Sequence, residues 1–217
     1  VVKWTGSKWK GDIVDGGATA GPDKKNPFII NAEGVVKLFS NATTDGPFTE
    51  HFEPMESPVT NIFNSQKVNP ASLIMEGVKG EFASSSQYPY IGTSYRVVEH
   101  WQAGAMTRNL PWLVELVPDM FCEISPKLAK EKGIKTGDKV SIFNSRGTVS
   151  AYALVTERVQ PMKVQGKTVE MVGMIWHFGA GCGVSGDACN MLTPSIGDAN
   201  TQIPEFKAFL VNIRKEA

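Results

Sequence analysis

Hydrophobic and polar residues follow two different patterns on either side of position 87. Residues 1–86 carry six prolines, which interrupt every long hydrophobic period and predict an irregular extended segment that packs on a surface. Only Ala32–Phe39 predicts a helix there, because its apolar residues could share one face. Residues 87–217 instead alternate hydrophobic runs of strand length with turn residues, which predicts a separate β domain.

The clearest helix signal lies in the middle of this β domain. Ser125 is a favourable N-cap, and Pro126 follows it at the first helical position, where proline is well tolerated. Gly133 can end the helix in the left-handed conformation, so that Ile134 packs back on Leu128. The sequence therefore predicts one short, well-capped helix.

Strand signals surround that helix, and a first strand is predicted to begin at Tyr90. The remaining predicted strands form two hairpins and a last strand: Val140–Ile142 with Thr148–Val155, Val159–Val164 with Val169–Ile175, and Ala208–Ile213. Several short antiparallel strands with few helices predict a mostly β fold. A closed barrel is favoured over an open sheet, because closure removes exposed strand edges.

Composition excludes some classes of partner. Lys and Arg total 22 against 22 Asp and Glu, so no net charge draws the chain to nucleic acid or to an anionic membrane surface. No apolar run approaches the roughly 20 residues that a membrane span needs. The first residues lack both an initiator Met and the plan of a signal peptide, so we expect a segment boundary there, with any address label upstream.

Three cysteines, Cys122, Cys182 and Cys189, form an odd and sparse set. Cys182 and Cys189 flank a Gly-rich loop and could form a disulfide or bind a metal. The spacing of the three cysteines, however, resembles neither a disulfide scaffold nor the tight pairs of zinc and iron–sulfur sites. We therefore predict buried free thiols. More broadly, the 217 residues predict no catalytic residue and no metal ligand set, because no nucleophile, base or metal motif is complete.

A first candidate binding segment runs from Gly92 to Gln102. Gly92 permits close approach of the backbone, Thr93 and Ser94 can meet phosphate oxygens, and Arg96 can form a fork onto a pyrophosphate. These residue types together suit a nucleotide diphosphate. The alternative is an ordinary strand end whose arginine pairs with Glu99 or solvent.

A second candidate, Trp176–Gly186, follows a predicted strand and is rich in glycine. It completes neither a P-loop nor a dinucleotide fingerprint. Trp176 and His177 could stack on or hydrogen-bond a planar heterocycle, or they could be an aromatic strand end that packs on the core.

A third candidate, Asn190–Lys207, is rich in side-chain amides and hydroxyls. Such groups can read the edge of a purine or a pterin through directional hydrogen bonds. They can equally be a loop that satisfies its own backbone.

Together these segments resemble the C-terminal domain of the molybdopterin-dependent oxidoreductases of the dimethyl-sulfoxide-reductase superfamily. Thr93–Trp101 is similar to the family's T-x-x-R-x-x-E-H-W segment, and Ser125–Val155 resembles its helix, Gly-Asp turn, strand and Ser-Arg-Gly turn. Asn190–Thr193, Asp198 and Pro204–Lys207 look like its closing N-x-L-T, Asp and P-E-(F/Y)-K pattern. Within the superfamily, Gly197–Lys207 and Gly46–Pro54 most resemble the large subunit of periplasmic formate dehydrogenases.

The resemblance implies a six-stranded, double-psi-like β-barrel over residues 87–217. Such a barrel closes over bis-molybdopterin guanine dinucleotide that carries tungsten or molybdenum, and supports formate oxidation. The resemblance also implies that Arg96 faces a phosphate and that His100 and Trp101 face the pterin. His100 or His177 could adjust the electronic properties of the pterin by donating hydrogen bonds to it. The cofactor-contacting positions implied by the family pattern are Thr93, Ser94, Tyr95, Arg96, His100, Trp101, Gln102, Trp176, His177, Asn190, Asn200, Thr201, Gln202 and Lys207.

The same resemblance implies that the metal ligand, the catalytic residues and a [4Fe-4S] cluster belong to upstream domains. Expected partners are those domains of the large subunit and an iron–sulfur electron-transfer subunit, with formate as substrate, in the periplasm and in anaerobic respiration. Two alternatives stay open at this point. One is the same domain of a nitrate, polysulfide or thiosulfate reductase, and the other is a nucleotide-binding barrel without redox function.

Overall fold

The computed structural model describes residues 3–4, 6–7, 9–10, 43–48, 50–75, 82–179 and 186–217. The chain divides into two compact units, one of residues 1–42 and 46–49 and the other of residues 43–45 and 50–217. In the first unit, β1 (Lys3–Trp4) pairs antiparallel with β2 (Trp9–Lys10). The helix predicted at Ala32–Phe39 lies outside the described residues.

Most of the described structure belongs to the second unit. Its helices are α1 (Pro111–Leu116), α2 (Pro126–Lys132) and the 3-10 helices Thr107–Asn109 and Cys189–Leu192. Its strands are β3 (Leu73–Ile74), β4 (Tyr90–Tyr95), β5 (Phe121–Ile124), β6 (Lys139–Phe143), β7 (Thr148–Val155), β8 (Met162–Val164), β9 (Lys167–Val169), β10 (Met171–Ile175), β11 (Ile196–Gly197) and β12 (Phe209–Lys215). Among the described ranges, no helix is long and apolar enough to cross a membrane.

Six of these strands form a closed barrel in the order β10, β4, β12, β6, β7, β5, which confirms the predicted mostly β, six-stranded barrel. Four neighbouring pairs are antiparallel, but β10 with β4 and β5 with β7 are parallel. The prediction of antiparallel strands is therefore wrong for these two pairs. Parallel neighbours need long crossover connections, and these bring distant stretches of sequence to the same end of the barrel.

The barrel interior is filled by alternate residues of the strands. Val149, Ala151 and Ala153 of β7 are buried, as the alternation predicts. The ring of Phe209 occupies the space next to Gly92, where an added Cβ would lie 2.5 Å from the Cε2 atom of Phe209. Glycine is thus required at position 92 by core packing, whereas the sequence alone suggested that it permits close approach of a ligand.

The capped helix is confirmed as α2. The Ser125 hydroxyl accepts a hydrogen bond from the Leu128 N–H at 3.0 Å, and Gly133 adopts the left-handed conformation with φ of 65°. The Ile134 N–H then donates to the Ala129 carbonyl at 2.8 Å, and Ile134 and Leu128 are both in the core.

The second predicted hairpin is divided in the structure. β8 and β9 form a small two-stranded sheet, whereas β10 leaves it and joins the barrel beside β4. The break falls at Glu170, which is buried. Its carboxylate accepts a hydrogen bond from the Ser125 hydroxyl at 2.7 Å and pairs with Lys127, so it ties this point to the start of α2.

Candidate functional site

The parallel pairing of β4 and β10 brings the first two candidate segments together. Ile175 lies opposite Tyr95, so both strands end at the same level and their following residues emerge at one end of the barrel. We call residues 96–104, which follow β4, the β4 loop. At this barrel end the loop faces Trp176 and His177, which follow β10.

Arg96 and Trp176 make direct contact there. The guanidinium carbon of Arg96 lies 5.4 Å from the centroid of the Trp176 ring. Arg96 is exposed and Trp176 is half-buried, so the cation lies over an aromatic face at the protein surface. This contact orients the guanidinium without using its N–H donors, which suits recognition of an anion.

His177 is fully buried and is bonded to the protein through both ring nitrogens. The Val97 N–H donates to Nε2 at 2.8 Å, so Nε2 carries no proton, and Nδ1 donates to the Gln102 carbonyl. Burial lowers the pKa of His177, and the neighbouring His100, Arg96 and Arg108 lower it further. The neutral imidazole therefore joins the two ends of the segment from Val97 to Gln102.

His100 is also buried, with Nε2 donating to the Val117 carbonyl at 3.0 Å and Nδ1 3.2 Å from the Thr107 hydroxyl. Its ring centroid lies 6.1 Å from that of His177. Neither imidazole has a ring nitrogen that faces solvent or an external ligand in this structure. Both rings were predicted to donate hydrogen bonds to a pterin, whereas here their nitrogens are bonded to groups of the protein.

Trp101 and Gln102 lie on the outside of the same loop. The side chain of Trp101 is 59% exposed, so its indole is open to a ligand or to another protein surface. Gln102 has an exposed side chain and a φ of 52°, the left-handed region that residues other than glycine rarely adopt.

The side chain of Lys207 reaches Ser94, the last residue but one of strand β4. Its ammonium group contacts the carbonyl of Ser94 and lies 3.4 Å from the Ser94 hydroxyl, which in turn donates to the Phe206 carbonyl at 2.8 Å. Ser94 is buried, whereas Lys207 is exposed. The end of the third candidate segment thus lies beside the first.

The other two predicted residues of β4, Thr93 and Tyr95, share the opposite face of the strand and are half-buried. The Tyr95 ring lies against Gly173, with the Arg158 guanidinium 5.8 Å from the ring centroid. Burial and the nearby Glu123 carboxylate raise the pKa of the Tyr95 hydroxyl. Tyr95 therefore belongs to the barrel wall.

The turn from Asp198 to Ile203 holds three of the predicted polar residues. One carboxylate oxygen of Asp198 accepts hydrogen bonds from the N–H groups of Asn200 and Thr201 and from the Thr201 hydroxyl. The Asn200 side chain bonds to the Thr44 N–H and to the Asp45 carboxylate, at 2.6 and 2.9 Å. These contacts match the alternative in which a polar loop satisfies its own backbone. Gln202 and Asn190 have exposed side chains.

A cavity of about 410 Å³ adjoins this turn and Lys207. Most of its lining residues are acidic or aromatic: Asp45, Glu50, Phe52, Glu53, Asp198, Glu205 and Phe206. Lys207 and several smaller residues complete the lining. Carboxylates repel a phosphate but accept hydrogen bonds from N–H groups, and the phenylalanine rings offer surfaces for stacking. The cavity therefore suits a flat heterocycle with N–H donors.

Sequence reasoning missed a buried ion pair that holds this region. Arg146, in the turn between β6 and β7, pairs with Glu56, and both side chains are almost completely buried. Arg146 also donates twice to the Leu192 carbonyl, at 2.7 and 3.2 Å. The Glu56 carboxylate accepts from the N–H groups of Ala83 and Leu210, at 2.7 and 2.8 Å. The pair thus fixes both ends of residues 189–210, which we call the 189–210 segment.

Arg108 was also missed. It is buried below the β4 loop and donates to the carbonyls of Gly179 and Ala103, at 3.2 and 3.3 Å. No sequence motif distinguishes Arg108 from a surface arginine, because its partners are main-chain carbonyls. Arg146 lies in the Ser-Arg-Gly turn of the family pattern, but that pattern does not reveal its buried partner, Glu56, 90 positions away in the sequence.

Cys122 and Cys189 are buried free thiols, as predicted, and burial raises the pKa of each to about 12. Cys182 and the rest of residues 180–185 lie outside the described residues. Within the ranges that the structure describes, no group of three His, Cys, Asp or Glu side chains could hold a metal ion.

Comparison with known proteins identifies related sequences. The family model described as "Molydopterin dinucleotide binding domain" matches residues 90–210. The chain is 46% identical over 222 residues to the formate dehydrogenase subunit alpha of Megalodesulfovibrio gigas, which covers 99% of this chain and 22% of that protein. It is 43% identical over 220 residues to the major subunit of the nitrate-inducible formate dehydrogenase of Escherichia coli, with the same coverage.

Among solved structures, the chain is similar to acetylene hydratase from Pelobacter acetylenicus, with a TM-score of 0.48 and 16% identity. The match covers 61% of this chain and 19% of the hydratase, and at that TM-score it supports no inference. The chain spans about a fifth of the length of the formate dehydrogenase subunits that it matches, since 22% of each is covered.

Proposed function

Because the chain belongs to the molydopterin dinucleotide binding domain family, we propose that its barrel binds a molybdopterin guanine dinucleotide in the large subunit of a formate dehydrogenase. In this proposal the chain is the C-terminal domain of that subunit. The reaction is the oxidation of formate to carbon dioxide. Extensive identity to two formate dehydrogenase subunits supports this reaction over those of the related reductases.

One observation carries the proposal. The parallel register of β4 and β10 places Arg96 and Trp101 at the same barrel end as Trp176, and Lys207 contacts Ser94 near the end of β4. Residues more than 100 positions apart in sequence thus supply two cations and two indoles to one region. A dinucleotide needs cations for its pyrophosphate and flat apolar surfaces for its ring systems, so the residues present fit this group.

We assign the pyrophosphate to Arg96 and Lys207. Arg96 is held over Trp176, and Lys207 is held by the Ser94 carbonyl and hydroxyl, so neither cation has to be ordered entirely by the ligand. Trp101, Gln102 and Asn190 have exposed side chains and are assigned to the remainder of the dinucleotide.

We assign the guanine to the acidic cavity beside Lys207. The edge of guanine carries a ring N–H and an amino group, which are donors that a carboxylate can accept. Asp198, Glu205 and Phe206 line this cavity. Gln202, which is exposed, lies between the lining residues Asp198 and Glu205 in the sequence. Asn200 and Thr201 would then shape this end of the site through the turn that they stabilise.

When bound, the dinucleotide would supply the tungsten or molybdenum centre at which formate loses two electrons and a proton. The residues of this chain bind and orient the dinucleotide. The metal ligand, the catalytic residues and a [4Fe-4S] cluster are assigned to other domains of the subunit. An iron–sulfur electron-transfer subunit and a periplasmic location complete the proposal.

Replacement of Arg96 tests the assignment in the full-length protein. Arg96→Ala is expected to lower the molar content of pterin and metal after purification, because the pyrophosphate loses one of its two cations. Formate-dependent dye reduction should fall in the same proportion.

Arg214→Ala is the matched control, because Arg214 is also an exposed arginine over an aromatic ring, 4.9 Å from the centroid of Phe143. It should retain full content of pterin and metal. Equal pterin and metal content in Arg96→Ala and wild-type protein would contradict the proposed function.

A further inference from the structure

Four observations indicate that the β4 loop is built around His177. The Val97 N–H and the Gln102 carbonyl bond to its two ring nitrogens, and this joins residues that are five positions apart. Gln102 holds a left-handed conformation, φ 52°, that the bond to His177 compensates. The backbone of Gly104 approaches the His177 carbonyl so closely that a Cβ at position 104 would clash with it.

The hydrogen-bond pattern requires one neutral tautomer of His177. A main-chain N–H is always a donor, so the proton of the ring must lie on Nδ1, where the Gln102 carbonyl accepts it. A second proton on Nε2 would face the Val97 N–H and break that bond. His100 differs, because the Thr107 hydroxyl at its Nδ1 can either donate or accept.

We propose that His177 is a positioning residue, which fixes the β4 loop and thereby places Arg96 and Trp101 for the dinucleotide. This inference rests on the proposed function. Arg96 precedes Val97 directly, and Trp101 precedes Gln102 directly, so both side chains are attached next to an anchored main-chain atom. His177 itself has no ring nitrogen left for the ligand, and in this it differs from a residue that contacts the cofactor.

Two substitutions in the full-length protein separate the two bonds. His177→Gln retains an acceptor near the position of Nε2, and His177→Asn retains a donor near the position of Nδ1. An unpaired buried N–H is tolerated less well than an unpaired carbonyl. Hydrogen exchange of amides in residues 97–104 should therefore rise by roughly tenfold in His177→Asn and by less in His177→Gln, as for loss of a buried hydrogen bond.

Pterin and metal content should fall in the same order, from wild type through His177→Gln to His177→Asn. His51→Gln is the control, because His51 is exposed and its ring bonds only to Glu53 among the described hydrogen bonds. Amides of β6 and β7 report on the barrel as a whole and should keep their exchange rates in all three variants.

Unchanged exchange in residues 97–104 of His177→Asn would overturn the inference, whatever its pterin content. So would equal increases across β6 and β7, which would indicate a general structural role. A loosened loop with full pterin content would overturn this inference alone, because the binding site assigned to Arg96 is tested by Arg96→Ala. Loss of pterin in Arg96→Ala with normal exchange of the loop supports the proposed function separately.

Discussion

The two regions proposed to hold the dinucleotide are anchored in opposite ways. The β4 loop is held by a neutral imidazole, His177, which uses one donor and one acceptor. The 189–210 segment is held by a buried ion pair, Glu56–Arg146, which also bonds to main-chain groups at both ends of the segment. The imidazole loses its hydrogen bond from the Val97 N–H when Nε2 gains a proton. The Glu56 carboxylate instead loses its counter-ion when Arg146 is removed.

The largest effect is expected from removal of the charged anchor. Arg146→Ala leaves the Glu56 carboxylate buried without its cation, which typically costs about 3–5 kcal/mol. In the full-length protein, the free energy of opening at the Leu210 amide should fall by this amount, because that amide donates to Glu56. Hydrogen exchange measures it.

The control for this change is Lys215→Ala. Lys215 lies on β12, as Leu210 does, and its removal breaks a partly exposed ion pair with Asp138. Exposed pairs contribute little to stability because water screens them. An opening free energy at Leu210 that falls equally in the two variants would mean that the buried pair does not anchor the 189–210 segment.

A smaller, pH-dependent effect is expected at the neutral anchor. The pKa of His177 is lowered from an ordinary value of 6.5, so the unfolded chain takes up a proton at a pH where the folded loop does not. The contribution of His177 to stability is therefore complete above pH 6.5 and is lost as the pH falls below it. Corrected for intrinsic rates, exchange in residues 97–104 should accelerate on acidification.

Burial is the main cause of the lowered pKa of His177; the Gln102 carbonyl opposes it, and the nearby Arg96 and Arg108 guanidinium groups reinforce it. His177→Gln cannot titrate and should lose the acid-induced acceleration. The same acceleration in His177→Gln and wild type would assign the effect to another group. The 189–210 segment serves as the internal reference in each sample.

The sequence was sufficient for elements whose signals are local. Ser125 and Gly133 mark the two ends of the predicted helix, because an N-cap and a left-handed glycine each act within one helical turn. The hairpin of β6 and β7 follows from alternation and a short turn. The barrel class follows from many short strands that need closure.

Non-local features were not accessible in the same way. Parallel pairing of β4 with β10 joins strands about 80 residues apart, and no local pattern encodes it. The same holds for the pairing of Glu56 with Arg146 across 90 positions. Pattern also could not tell which polar side chains face inward. His177 and Asn200 were predicted as cofactor contacts by type, yet both are engaged by the protein.

The position of the bound dinucleotide in the full-length protein tests the central claim most directly. We expect a structure of the loaded protein to place the pyrophosphate within hydrogen-bonding distance of Arg96 and Lys207, with Val97 and Gln102 still bonded to His177. A dinucleotide bound elsewhere on the barrel, away from both cations, would contradict the account.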